Sequence, residues 1–190
     1  MAEPIMKITK INIPGVLIIE PEIFGDQRGY FYESYNARKF RKSGITEEFV
    51  QDNQSRSSFG VIRGLHYQIN PMAQTKLVRV LDGRILDTVV DIRKNSPTFG
   101  NYFSVELSDE NNKQLYVPKG FAHGFSVLSE TAVVFYKCDV FYDPGSERGI
   151  RFDDPDLNID WQIDRDQAVV SEKDLNLPFL NLAEMNFIYE

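Results

Sequence analysis

Apolar and β-branched residues along this chain come in short runs broken by turn-forming clusters, with little of the 3.6-residue spacing of amphipathic helices. Val16 to Glu20 and Tyr30 to Tyr35 read as strands on either side of Gly25-Asp26-Gln27-Arg28-Gly29, whose two glycines and acidic residue suit a tight turn. Asn36 to Lys42 reads as a short helix, with Gly44 just beyond as its stop. Thr75 to Leu81 and Arg84 to Ile92 are two β-rich runs separated by Asp82-Gly83, a dipeptide that supplies positive φ at both centres of a two-residue turn, and the pattern predicts a hairpin there. Further runs follow at Tyr102 to Leu107, Gln114 to Val117, Phe121 to Leu128 and Thr131 to Tyr142. They are broken by Pro97, Asp109-Glu110-Asn111-Asn112, Pro118-Lys119-Gly120 and Pro144-Gly145. Many short strands at this spacing predict an all-β fold, a sandwich or jelly-roll barrel rather than a parallel sheet with crossover helices. From Ser171 the pattern loosens, and Leu180 to Phe187 is predicted as a short terminal helix.

Composition agrees with that picture and narrows the partners. The 190 residues, 42% hydrophobic and 26% charged, fit one globular domain spanning 1–190, and 14 Phe and 9 Tyr against one Trp favour strands. A formal net charge of −7 argues against a nucleic-acid partner, because binding to a phosphate backbone needs concentrated Lys and Arg. An anionic ligand therefore requires a locally basic pocket. Cys138 is the only cysteine, so no internal disulfide forms. No run approaches the ~20 apolar residues of a membrane span, and Met1 to Lys10 lacks the apolar core of a signal peptide, so a cytoplasmic protein with no membrane partner is expected.

Candidate chemistry is limited by the two histidines, His66 and His123. A three-histidine metal site cannot form within one chain; two histidines and a carboxylate could still hold a metal, but the His-x-His and His-x-Glu-x-x-His spacings are absent, so no metal is expected. Neither a Walker-type loop nor Gly-x-Gly-x-x-Gly occurs, which removes the usual signatures of nucleotide hydrolysis and dinucleotide cofactors. His66 lies in a strand-like stretch, Val61 to Gln68, where an imidazole with its ordinary pKa near ~6.5 suits a general base; a hydrogen-bonded core histidine fits the same pattern. Arg63, Lys76 and Arg79 place cations nearby in sequence. His123 is flanked by Ala122 and Gly124, where backbone can approach a ligand, although a structural role fits equally. Alternation puts Tyr136 and Cys138 on one face of their strand and Phe135 and Lys137 on the other. If that first face is interior, Tyr136 is a buried phenol needing a partner. Nothing local singles out a carboxylate pair among the 28 Asp and Glu residues.

Five ordered blocks carry a family resemblance: Phe24 to Glu33, Val50 to Asn53, Arg63 to Gln68, Val117 to Phe125, and Ser171 to Asp174. Together they resemble the signature blocks of the dTDP-4-dehydrorhamnose 3,5-epimerases, over about Ile11 to Asp174. The resemblance implies a cupin-type jelly-roll barrel with a few short helices, without cofactor or metal, usually a homodimer. It further implies action on a dTDP-linked 4-keto-6-deoxy sugar, dTDP-4-dehydro-6-deoxy-D-glucose, to give dTDP-4-dehydro-L-rhamnose. Position by position, His66 matches the family base, Asp174 the carboxylate that orients it, Tyr136 the acid on the opposite face and Lys76 the lysine near the sugar ketone. Arg28, Glu33, Gln51, Asp52, Asn53, Arg63, His123, Glu147 and Lys173 fall in the set that contacts the nucleotide-sugar, part of which comes from the partner chain in dimeric members.

One tension and two other readings accompany this. Arg63 and His66 are three apart, which in a regular strand turns them to opposite faces, so the resemblance requires Gly64 to mark a bulge or Arg63 to serve a neighbouring subunit. A relative that epimerises only C3 or only C5, or that acts on another nucleotide-linked ketosugar, carries the same blocks around its base. A catalytically silent sugar-nucleotide-binding cupin keeps the fold, but it has no need of His66, Tyr136, Lys76 and Asp174 together.

Overall fold

The computed structural model describes residues 6–189. Strands are numbered along the chain. A six-stranded sheet has the order β1 (Lys7–Lys10), β2 (Leu17–Glu20), β10 (Gln114–Val117), β7 (Lys76–Asp82), β12 (Thr131–Cys138) and β5 (Gln51–Ser58). A five-stranded sheet has the order β13 (Glu147–Gly149), β6 (Ile62–Gln68), β11 (Phe121–Val127), β8 (Arg84–Asp91) and β9 (Tyr102–Ser108). β3 (Phe24–Asp26) and β4 (Gly29–Phe31) make a separate exposed hairpin. Every strand pairing is antiparallel. The two large sheets face each other as a jelly-roll barrel of cupin type, the expected fold class.

Three apolar layers hold it. Between the sheets, Val78, Val80, Leu115 and Val134 meet Ile85, Val89, Leu107, Phe125 and Val127. On the outer face of the five-stranded sheet, Ile62, Leu65, Val90 and Ala122 are covered by Ile150, Leu157, Trp161 and Phe187. On the outer face of the six-stranded sheet, Ile19, Leu77 and Tyr116 pack beneath Phe40 and Ile45. β11 is therefore buried along its whole length and β8 at every residue after Arg84, which is why neither shows clean alternation in sequence.

The largest correction concerns Asp82-Gly83. β7 and β8 do not pair: β7 lies between β10 and β12, and β8 lies between β11 and β9 in the other sheet. Gly83 takes φ +80, but Asp82 remains the last residue of β7 without the positive φ expected of it, and the chain uses Gly83 alone to turn a corner between sheets. A Cβ there would lie 2.1 Å from the Thr131 carbonyl oxygen, so β12 closes over the corner where a hairpin would have left open space. Local φ preference specified the bend and not the partner: each strand pairs with two others of its own sheet, with β8 buried on both faces and β7 exposed at Leu81 and Asp82.

Other expectations differ at their ends. α1 (Ala37–Lys42) forms as predicted, with Asn36 Oδ1 accepting from the amides of Arg38 and Lys39 at 3.0 and 3.3 Å and Gly44 at φ +88. The strand expected over Tyr30 to Tyr35 is ordered as β4 only to Phe31. The run expected to Tyr142 ends at Cys138, because the following residues cross the barrel mouth. The predicted terminal helix is one 3-10 turn, Leu180–Leu182. Beyond it the chain runs extended, with the Lys94 amide donating to Phe187 O and the Tyr189 amide to Lys94 O, both at 2.9 Å. Phe187 is buried edge-on against Tyr67, ring centroids 6.3 Å apart, so packing outweighs the helical spacing.

Candidate active site

At one end of the barrel the interior stops being apolar. A cavity of about 220 Å³ opens there, walled by Gln51, Asn53, Lys76 and Tyr136 from the six-stranded sheet and by His66, Gln68 and Glu147 from the five-stranded one. Inward-pointing positions on these strands alternate with outward ones, so one stripe of each strand passes from aliphatic core to polar mouth.

β6 resolves the spacing conflict between Arg63 and His66. His66 is opposite His123 and Arg63 opposite Phe125, three steps on β6 against two on β11, so β6 bulges by one residue and both side chains face inward. Glycines make the bulge possible. Gly64 has φ +115, and a Cβ on it would meet Gly124 Cα and His123 O at 2.7 Å, while one on Gly124 would meet Arg63 O at 2.6 Å.

His66 Nε2 lies 2.8 Å from Asp174 Oδ1. Asp174 sits in α2 (Glu172–Leu175), whose N-cap Ser171 accepts the Asp174 amide at 3.1 Å, and it is 4% exposed. Its second oxygen, Oδ2, accepts the Gly64 amide at 3.2 Å. Burial alone would raise this carboxyl, but the bonds from His66 and Gly64 hold it below the usual carboxylate range. A carboxylate at Nε2 fixes the imidazole proton on that nitrogen and leaves the Nδ1 lone pair free to accept another.

Across the cavity, burial raises the Tyr136 phenol, so it carries its proton at neutral pH. Lys76 Nζ stands 5.9 Å from the centre of the Tyr136 ring, and burial lowers its pKa. Base and phenol thus belong to opposite sheets, with an ammonium beside the phenol. Among the described residues, no group of three or more His, Cys, Asp or Glu is arranged to hold a metal ion.

Of the expected contact residues, several gather here. Glu147 Oε2 accepts from Lys173 Nζ and from the Tyr142 hydroxyl, both at 2.7 Å, and these bonds hold its carboxyl low against the opposing effect of burial. The same pairing raises Lys173. Gln51 Nε2 donates to Asn53 Oδ1 at 3.1 Å and its Oε1 accepts the Tyr142 amide at 2.9 Å. Arg63 Nε donates to Ser57 Oγ at 3.1 Å. His123 lies one layer deeper, buried, with Nε2 2.7 Å from Asp87 Oδ1.

Arg63, Lys173 and the deeper His123 adjoin the lining without forming part of it, and three further expected residues lie away from the cavity of this chain. Asp52 alternates outward between Gln51 and Asn53 and pairs with Lys137 Nζ at 2.8 Å. Arg28 sits on the exposed β3–β4 hairpin, bonded to Asp26. Glu33 pairs with Lys39 at 2.7 Å beside a second hollow lined by Phe24 and Phe31.

Residues not singled out from sequence also build the mouth. Gln68 Oε1 accepts the Asp143 amide at 2.8 Å, and Gln74 Nε2 donates to Val140 O at 2.8 Å. With Gln51 they pin the strap 139–146 that carries Tyr142. Gln68 was legible as two residues beyond His66 on the same strand, whereas nothing local marked Tyr142.

The family model described as dTDP-4-dehydrorhamnose 3,5-epimerase matches residues 10–181. A curated dTDP-4-dehydrorhamnose 3,5-epimerase of Shigella flexneri is 52% identical over 172 residues, covering 90% of this chain and 94% of that one. The crystal structure of a dTDP-6-deoxy-D-glucose-3,5-epimerase from Legionella pneumophila in complex with dTDP-4-keto-L-rhamnose superposes with a TM-score of 0.93 at 49% identity, covering 97% of this chain and 99% of that one. A 3′-monoepimerase from Streptomyces bikiniensis in complex with dTDP-quinovose has a TM-score of 0.84 at 34% identity, covering 90% and 86%.

Proposed function

The chain belongs to the dTDP-4-dehydrorhamnose 3,5-epimerase family, and from that premise we propose that it inverts C3 and C5 of dTDP-4-dehydro-6-deoxy-D-glucose, giving dTDP-4-dehydro-L-rhamnose for dTDP-L-rhamnose biosynthesis. The observation that carries the residue roles is the opposition across one cavity: His66, backed by Asp174 at 2.8 Å, on one sheet, and Tyr136 with Lys76 on the other.

The C4 ketone makes the hydrogens on C3 and C5 acidic. His66 Nδ1 takes the proton from one face of the ring, the C–H electron pair moves into the ring, and the enolate oxygen at C4 is held by the Lys76 ammonium. The Tyr136 hydroxyl then delivers a proton to the same carbon from the other face, which inverts it. His66 releases its proton and Tyr136 regains one from solvent, so each inversion is proton-neutral. A positioned base contributes ~10²–10⁴ in rate and an oxyanion donor ~10²–10³.

Gln51, Asn53, Arg63, His123, Glu147 and Lys173 are the nucleotide-sugar contacts this chain supplies in the proposal. Arg28 and Glu33 point away from their own cavity, and the hairpin between them exposes Tyr30 and Phe31 at 61% and 71%. A homodimer in which this hairpin serves the other copy accounts for both facts. No helix among the described residues is long and apolar enough to cross a membrane, and a cytoplasmic location is proposed. Inversion of a single carbon is less well supported, since identity to the monoepimerase is 34% against 52% to the double epimerase.

The test is His66→Ala, which is expected to lower kcat by at least about a hundredfold while dTDP still binds by calorimetry. Wild-type turnover in that variant would remove His66 as the base.

A further inference from the structure

A buried charge pair lies beneath the cavity floor. Asp87 is in the middle of β8, on the inward face that also carries Ile85 and Val89, and it is 0% exposed. Its Oδ1 is 2.7 Å from His123 Nε2. Its Oδ2 is buried with no hydrogen-bond partner among the described residues. A buried carboxylate oxygen left without a hydrogen bond is unfavourable unless a nearby opposite charge offsets it. The nearby cation is Lys76, at the start of β7 on the facing sheet, whose half-buried side chain lines the cavity and makes no ion pair among the described residues.

We propose that Asp87 is a positioning residue for the epimerisation: its carboxylate, held by His123, is the counter-charge that keeps Lys76 an ammonium at the ketone oxygen. This rests on the epimerase reading above and adds a residue that touches neither substrate nor reacting atoms. The other groups facing Lys76 do not fill the role. Cys138, its cross-strand neighbour, would raise the Lys76 pKa as a thiolate, but burial pushes that thiol up to about 11 and it is uncharged at neutral pH. Glu147 raises it as well, but its carboxylate is already engaged by Lys173 and Tyr142. Tyr136 is a neutral phenol, His66 is committed to Asp174, and Gln51 and Asn53 are uncharged.

The sign follows directly. Burial lowers the Lys76 pKa and the Asp87 charge opposes that lowering. The cationic form holds the enolate, so activity falls as pH rises through the Lys76 pKa, and removing the Asp87 charge brings that fall to lower pH. Asp87→Asn keeps the shape and the contact to His123 while deleting the charge.

The experiment compares wild type, Asp87→Asn and Cys138→Ser by kcat/KM against pH and by NMR titration of Lys76 in protein labelled with 13C and 15N lysine. The expected result is an alkaline limb, and a Lys76 titration, displaced downward by about one pH unit or more in Asp87→Asn and unmoved in Cys138→Ser. Loss of activity at every pH with an unmoved Lys76 titration means a merely structural role and overturns the proposal, as does a displacement in Cys138→Ser alone. Should Asp87→Asn not fold, Asp87→Ser, smaller and also uncharged, reads the same shift. The NMR titration needs no turnover, so wild-type protein that fails to epimerise would refute the enzyme reading while the Asp87–Lys76 coupling is still measured.

Discussion

Replacing Asp174 with asparagine preserves the shape of the side chain but sets two of its neighbours against each other. Oδ2 receives the Gly64 amide at 3.2 Å and Oδ1 faces His66 Nε2 at 2.8 Å. A carboxylate accepts from both; an asparagine accepts through one atom and donates through the other. With its oxygen on the Gly64 N–H, its amide points at His66 Nε2, which must then accept, and the imidazole proton moves to Nδ1, the nitrogen that faces the substrate. With the amide flipped, two donors meet at Gly64, and an unsatisfied buried N–H costs about 1–3 kcal/mol. The correct tautomer is therefore reduced by roughly 5- to 150-fold. Losing the charge that supports the imidazolium removes a further ~1.5–3 kcal/mol. Together the loss in kcat is about 10²–10⁴, comparable to the effect of the same change in a Ser-His-Asp triad. KM is expected to change by less than about threefold, because Asp174 is buried behind the base. The assay is initial-rate epimerisation followed by NMR between pH 6 and 9. A kcat within tenfold of wild type with an unmoved pH optimum would refute the tautomer reasoning.

Three further outcomes follow from the same contacts. Tyr136→Phe keeps the base and deletes the acid, so inversion falls by ~10²–10⁴ while exchange of the substrate proton with solvent persists at a higher rate; inversion at the wild-type rate would remove Tyr136 from the mechanism. Gly83→Ala forces positive φ on a side-chain residue and drives a Cβ to 2.1 Å from Thr131 O, which is expected to cost at least about 2 kcal/mol in denaturant unfolding; an unchanged midpoint would contradict the sheet-to-sheet corner. Burial would raise the Asp91 carboxyl, but bonds from Arg93, Ser96 and Thr98 hold it low. Its contribution to stability is thus full above the unfolded pKa of about 4 and is lost as pH falls through the lower folded value. Asp91→Asn is expected to flatten the acid limb of stability measured by urea midpoints, and an unaltered slope would contradict this.

The all-β class, the short helix at Ala37–Lys42 and the strand positions were legible because turn residues and β-branched runs act locally. Partner choice was not. Asp82-Gly83 reads as a hairpin in sequence, whereas the corner uses positive φ at Gly83 alone, and β7 and β8 each pair between two other strands of different sheets. At the site, alternation put Tyr136 and Cys138 on one face of their strand without saying which face entered the barrel, and the family blocks supplied the role of the phenol. Arg63 and His66 were readable together only through the bulge at Gly64, whose need arises from Gly124 on another strand. Asp174 is 108 residues from its partner His66, and no spacing rule links a four-residue helix to a distant strand; the family blocks did so. Asp52, named with the same block as Gln51 and Asn53, stands on the outward side of their alternation. Gln74 meets Val140 O through a contact made only by the closed barrel.

The central claim is proton abstraction and return at both carbons beside the ketone, and deuterium incorporation tests it most directly. Wild-type protein incubated in D₂O with dTDP-4-dehydro-6-deoxy-D-glucose, with the sugar ring followed by NMR, is predicted to place label at both C3 and C5, and His66→Ala to place it at neither. Label at only one carbon, or at none, with the wild-type protein would contradict the account.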